Sequence, residues 1–316
     1  MSTLDATAAT AAAPVAAERK GPRRRPKLAE TWWRHLVGIA ACAMALFPVW
    51  FVAVASFNDT QQISGTGWTP THWTLSNYGT LLHNNIRSTQ TSSILYEPFL
   101  RWFGNTLLIA SVSALCTVLI SAFAAYAFSR FRFRGRRLGM LALLLIQMFP
   151  SLLLFVAIYL IVYNVGTIFP AMGLNTYLAL TLVYLGGALG VNTWLMKGFL
   201  DTIPKELDES ARVDGATPAQ IFWGVVLPLA LPILAVIGLW SFIASLNEYV
   251  LASAIMQTPS HYTLPVGLRS FINGNYSNYW GYFAAAALMA AVPTALLFAW
   301  LQRYIVSGLS QGAVKG

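Results

Sequence analysis

The sequence predicts an all-α integral membrane protein with six transmembrane helices. Three observations lead there. Of the 316 residues, 57% are hydrophobic and only 10% are charged, whereas soluble domains carry about 25% charged residues. The charges cluster and leave six apolar runs, 36–57, 103–128, 138–163, 175–196, 224–246 and 283–304, each near the roughly 20 residues that cross a bilayer core. Basic residues also gather in alternate connections between those runs. The runs are continuous rather than alternating, which selects helices over barrel strands.

The net charge of +9 could suggest nucleic acid, but its distribution excludes that reading. Arg19, Lys20, Arg23, Arg24, Arg25, Lys27 and Arg34 precede the first run. Arg130, Arg132, Arg134, Arg136 and Arg137 follow the second; Lys197, Lys205 and Arg212 follow the fourth; Arg303 and Lys315 close the chain. The other three connections hold only Arg87, Arg101 and Arg269. This is the positive-inside pattern of a multi-pass membrane protein, with both termini cytoplasmic.

Taken in order, residues 1–35 are expected to be a disordered, basic cytoplasmic segment, with Trp32 and Trp33 at the membrane interface. The first run exceeds the ~7–15 residue core of a signal peptide, so it reads as an uncleaved anchor. Residues 36–304 form the membrane domain and residues 305–316 a cytoplasmic tail. Cys42 and Cys116 fall in apolar runs and read as small hydrophobes. The external connection 58–102, rich in Pro, Gly and aromatic residues, reads as a packed cap. After the second run, Ser129 to Arg137 alternates arginine with phenylalanine. Phosphate binding is one reading of it; a collar facing anionic lipid is the preferred one. Pro150, in Gln147-Met148-Phe149-Pro150, should kink the third span, either to line a cavity or to fit its neighbours. Gly186, Gly187 and Gly190 suit close helix approach, and Asn192 suits interhelical hydrogen bonding. Glu248 closes the fifth run, and an aromatic, polar external segment follows.

The loop 197–223 is charged and helix-prone inside an otherwise membrane-soluble chain. Pro204 followed by acids reads as a helix start. Gly215 permits a turn other residues resist, and Thr217-Pro218 starts a second helix. The product is a cytoplasmic helix–turn–helix elbow. Its residues are spaced Glu209-Ser210-Ala211, three residues, Gly215, nine residues, then Val225-Val226-Leu227-Pro228.

That spacing resembles the EAA loop, E-A-A-x3-G-x9-I-x-L-P, of permease subunits in bacterial ATP-binding-cassette importers. Ser210 and Val225 are small departures from it. Gln147-Met148-Phe149-Pro150-Ser151, Tyr262-Thr263-Leu264 and the end Gly308 to Gly316 further resemble the second, six-span permease subunit of carbohydrate importers of the maltose/maltodextrin type. The resemblance covers about 36–316. It implies a complex with a second permease subunit, two ATPase subunits, an external solute-binding protein, the sugar and membrane lipid, without nucleic acid. It also implies ATPase-coupling roles for Glu209, Ser210, Ala211, Asp214, Gly215, Ala216, Leu227 and Pro228. Glu209 would meet a basic ATPase group, while Ala211 and Ala216 would pack in the ATPase cleft. Gln311, Gly312, Val314 and Lys315 would reach the ATPase subunits.

Polarity and depth make Gln147, Tyr163, Asn192 and Asn247 candidate pathway residues. The chain lacks G-x-x-x-x-G-K-[ST], so ATP and magnesium are assigned to the ATPase, and this chain is expected to bind no cofactor or metal and to catalyse nothing. No paired carboxylates or nucleophile–base set stands out. His35, His72, His83 and His261 are scattered among interface and external segments. The alternatives are a permease for trehalose, glycerol phosphate or another oligosaccharide, or an ion-coupled carrier. The carrier is disfavoured because the centres of the runs lack ionisable residues.

Overall fold

In this computed structural model the described residues are 28–62, 67–83, 86–87, 94–95, 99–272 and 279–313. The chain divides into two units, Met1–Val49 and Trp50–Gly316. Helix α1 (Leu28–Ser56) begins inside the segment expected to be disordered. Its first-unit residues, from Trp32 through Val49, are exposed apolar or aromatic surface over most of their length, as a lipid-facing helix requires.

In the second unit, α2 (Ser76–Leu82) and the paired two-residue strands β1 (Ile86–Arg87) and β2 (Ile94–Leu95) form part of the predicted cap. The buried Asn77 amide donates to the Ser56 and Asn58 carbonyls, both at 2.8 Å, and ties α2 to the end of α1. Helix α3 (Phe99–Arg130) packs against both α6 (Tyr177–Leu200) and α10 (Leu231–Asn247), and α10 packs in turn on α13 (Trp280–Ala313). Small side chains on α3, including Ala110, Ala114, Ala122 and Ala125, are buried there. They bring the helices close where no hydrophobic force from water acts.

Four helices are long and apolar enough to span: Trp32–Ser56, Phe99–Arg130, Tyr177–Leu200 and Trp280–Ile305. A fifth span would be the pair Pro218–Leu229 and Leu231–Asn247, which meet at 77°. The six expected spans are therefore not reproduced as six continuous helices. The third run, 138–163, is divided into α4 (Arg136–Gln147) and α5 (Ser151–Ile168). Pro150 is extended, with ψ 118°. Its ring disfavours a helical conformation at the preceding Phe149, and it lacks the amide that would continue the ladder. The expected kink is a break.

At the end opposite the basic loops, neutral hydrogen bonds fasten the chain between α11 (Val250–Ile255) and α12 (Leu264–Leu268). Trp102 Nε1 donates to the Pro259 carbonyl at 2.7 Å, and the Asn105 amide to the Ser260 and Tyr262 carbonyls. Asn175, at φ 63°, accepts from the Gln257 and Thr258 amides. Glu248 accepts from the Leu251 and Ala252 amides and from the Tyr184 hydroxyl, so it caps α11 and joins it to α6.

Trp102 is fully buried against Gly267, where an added Cβ would lie 2.1 Å from the indole. Gly267→Ala should therefore destabilise the protein by about 1–3 kcal/mol, the usual cost of overpacking, read as an earlier thermal transition of the detergent-solubilised protein.

Candidate functional site

The charged loop forms two short helices and a joint. Helix α7 (Glu206–Val213) carries Glu206, Asp208 and Glu209 in its first turn, where carboxylates meet the positive end of the helix dipole. It ends in a Schellman arrangement. Gly215 lies at φ 85°, its amide donates to the Arg212 carbonyl at 3.0 Å, and the Ala216 amide donates to the Ala211 carbonyl at 2.9 Å. The left-handed conformation explains the glycine. Ala211 and Ala216, the apolar pair such a terminus brings together, pack onto the chain's own core beside residues such as Leu200, Ile221 and Val226. They are half-buried from within and keep part of their surface outward.

Helix α8 (Pro218–Ile221) starts with a capping box. Thr217 Oγ1 accepts from the Gln220 amide, and Gln220 Oε1 accepts from the Thr217 amide at 2.8 Å. A π-helical turn, Phe222–Val226, follows, then α9 (Leu227–Leu229). The wider turn precedes Pro228, whose ring and missing amide a regular helix would not fit. Phe222 plugs the joint into the helices, with its ring centroid 5.0 Å from those of Phe123 and Tyr126.

What fixes this assembly is charge. Arg130, the last residue of α3, places Nε 2.8 Å from Asp208 Oδ2, with the two side chains only 2% and 5% exposed. The Nε–H is not aligned for a hydrogen bond, so the attraction is chiefly charge on charge. Arg130 Nη2 also donates to the Ile203 carbonyl at 3.0 Å. Beside it, Asp201 accepts from Ser129 Oγ at 2.6 Å and from Lys197 Nζ at 2.5 Å. Partial burial raises the Asp201 pKa, but the bonds from Lys197 and Ser129 and the charges of Lys197 and Arg136 outweigh it and hold the carboxyl below its ordinary value. A depressed carboxylate stabilises the fold above its unfolded pKa, and that contribution is lost as pH falls through the folded one.

Of the residues expected to face a partner, Glu209, Ser210, Asp214, Gly215 and Pro228 are exposed, whereas Ala211, Ala216 and Leu227 are partly buried. Val213, 88% exposed, joins the outward set. Gln311 and Gly312 lie in the last turn of α13, so the chain is still helical within the expected tail. Val314 and Lys315 lie outside the described residues.

The candidate pathway residues lie on α4, α5, α6 and α10. The Gln147 amide donates to the Gly187 carbonyl at 2.9 Å. Asn192 is buried and donates to Ser241 at 3.3 Å, while Asn247 donates to the Ile243 carbonyl. Tyr163 is half-exposed on α5. Sequence reasoning missed the Arg130–Asp208 pair, having placed Arg130 in the collar. Its signal was periodicity: Asp208 and Ala211, three apart, share the inward face of α7, and Glu209 turns away from it.

These features define a class, a helical membrane subunit that bears a glycine-jointed, charged helix pair at its basic end. The chain belongs to the family described as binding-protein-dependent transport system inner membrane component, which it matches over residues 117–311. It is a multi-pass permease subunit of an importer of the ATP-binding-cassette class. It is 38% identical to the galactooligosaccharides transport system permease protein GanQ of Bacillus subtilis, across 86% of this chain and 90% of that one. It is equally identical to the maltose/maltodextrin transport system permease protein MalG of Escherichia coli, across 89% and 95%. Among solved structures it resembles a bacterial ABC transporter involved in import of the acidic polysaccharide alginate, with TM-score 0.67, 25% identity and coverage of 86% and 95%.

Asp208→Asn should cost about 3–5 kcal/mol, because it strands a buried guanidinium. The double variant Arg130→Met, Asp208→Leu should recover much of that loss, and a double-mutant cycle on thermal stability in detergent checks both.

Proposed function

We propose that this chain forms half of the translocation pathway of an ATP-driven sugar importer, and that its α7–α8 elbow receives an ATPase subunit. The observation that carries this reading is the division of α7 into two faces. Asp208 is locked to α3 by Arg130, while Glu209, Val213 and Asp214 are presented outward. A push on the outward face has little local play to dissipate it and passes to α3 and α6.

In this reading the elbow lies in the cytoplasm, both termini are cytoplasmic, and the functional parts are the segment 1–35, the membrane domain 36–304 with its loop 197–223, and the tail 305–316. ATP and magnesium act on the partner ATPase, and this chain is a non-catalytic subunit without a cofactor of its own. Closure of the ATPase pair moves the elbow, tilts the helices behind it and changes the side on which the cavity opens. A docked solute-binding protein favours the same state, which links hydrolysis to cargo. The coupling set is Glu209, Ser210, Ala211, Asp214, Gly215, Ala216, Leu227 and Pro228. Gln311, Gly312, Val314 and Lys315 extend toward the ATPase subunits. Maltose or a maltodextrin is the favoured cargo, on the names of the similar permeases; the galactooligosaccharide relative makes another oligosaccharide the second reading.

The complex co-purified with its neighbouring-gene products and placed in nanodiscs should show ATPase activity stimulated by maltodextrin-loaded binding protein. A stable complex stimulated only by another sugar would move the cargo, and the absence of any ATPase partner would overturn the reading. Gly215→Pro imposes φ near −65° on a joint held at 85°. It should abolish stimulation and uptake while the protein still inserts, whereas wild-type uptake by the inserted variant would sink the coupling role.

A further inference from the structure

We infer that the trough between the start of α4 and the end of α6 is a binding site for an anionic phospholipid. Its floor is apolar, made by Leu141, Leu144 and the indole of Trp194, and its rim carries Arg136, Arg137 and Lys197. The indole is fixed in place, since Trp194 Nε1 donates to the Met140 carbonyl at 3.3 Å.

The rim cations differ in how they are used. Arg130 is committed to Asp208 and Ile203. Lys197 gives one contact to Asp201 and keeps two further donors. Among the described residues the Arg136 and Arg137 guanidinium groups have no hydrogen bond or ion pair to the protein, although Arg136 lends its charge to Asp201 at longer range. Arg136 opens α4 directly after Gly135, which lies at φ 89° and provides no capping side chain. Two or three cations therefore surround the mouth of a greasy trough at one membrane interface.

A phosphodiester at the rim with an acyl chain along the floor satisfies both parts at once. An acidic soluble partner would meet the rim but leave Leu138, 70% exposed, and Leu141, 51% exposed, without apolar cover. Inorganic phosphate would leave the floor empty. Basic pockets between spanning helices on this kind of face suit anionic headgroups. The site is independent of the elbow's role, and it does not need the cargo to be identified.

The test uses the full-length chain in its native complex, exchanged into nanodiscs of phosphatidylcholine with a minor fraction of phosphatidylglycerol, with the retained lipid counted by native mass spectrometry. Arg136→Gln with Arg137→Gln should lower the preference for phosphatidylglycerol roughly 25-fold, about fivefold per basic group. The charge-conserving pair Arg136→Lys, Arg137→Lys should keep most of it and so separates charge from folding. Arg132→Gln with Arg134→Gln, in the same basic segment but outside the trough, should leave it unchanged. Equal loss in that control would mean a diffuse basic collar and overturn the site. Full retention by the double glutamine variant would overturn it, as would displacement of the lipid by inorganic phosphate alone. So would unchanged lipid retention with loss of an acidic partner protein, which would make the rim a protein contact.

Discussion

The Arg130–Asp208 ion pair is the constraint on which the basic end of the molecule depends. Helix α7 has eight residues, and helices shorter than about 12–15 residues are marginal on their own. Its terminal bonds close the helix but do not orient it. The buried pair does, because Asp208 can reach the end of α3 in only one rotation of α7, and that rotation turns Glu209 and Val213 outward. Burying two charges gains little net stability over a well-packed apolar pair. The arrangement makes sense as a device for orientation, since an apolar contact tolerates sliding while a desolvated charge without its counterpart is heavily penalised.

Around that anchor, glycine and proline set the angles. Gly215 reverses the chain between α7 and α8, and the π-helical turn at Phe222–Val226 absorbs the misfit of Pro228. Ala230 and Pro232 then begin α10 after the 77° bend. Each joint is backed by core. Ala216 and Ala230 belong to the same apolar cluster as Met196 and Ile237, so the elbow, the bend and the packed ends of α3 and α6 share one hydrophobic body. Interiors of this kind transmit displacement because they are close-packed and resist compression.

Much of this was legible in the sequence. The runs behind α1, α3, α6 and α13 were visible from apolar length alone, and the elbow from Pro204, Gly215 and Thr217-Pro218. The division of the third run was not, because hydropathy continues unbroken through Met148 and Phe149 while the interruption at Pro150 is one of backbone geometry. The lipid-facing length of a run says nothing about where its amides go. The Arg130–Asp208 pair was also hidden. Its partners lie in different connections, and in sequence Arg130 is one of a row of arginines. Only tertiary structure distinguishes the arginine that is buried from those that remain at the interface.

The polar side chains within the helices divide by how they are bonded. Asn192 is used against Ser241, Gln147 against the Gly187 carbonyl and Asn247 against its own helix. Gly190 leaves room for Gln147, since an added Cβ would lie 2.7 Å from that side chain. Asn192 makes its bond in a buried setting, whereas the bonds of Gln147 and Asn247 are exposed. A polar cargo needs several donors and acceptors gathered at one place, and an amide already committed to a buried bond, as Asn192 is, is costly to redirect. In the proposed importer Asn192 is therefore assigned to helix packing, and Gln147 and Asn247, whose bonds are exposed, remain the candidates for the pathway wall.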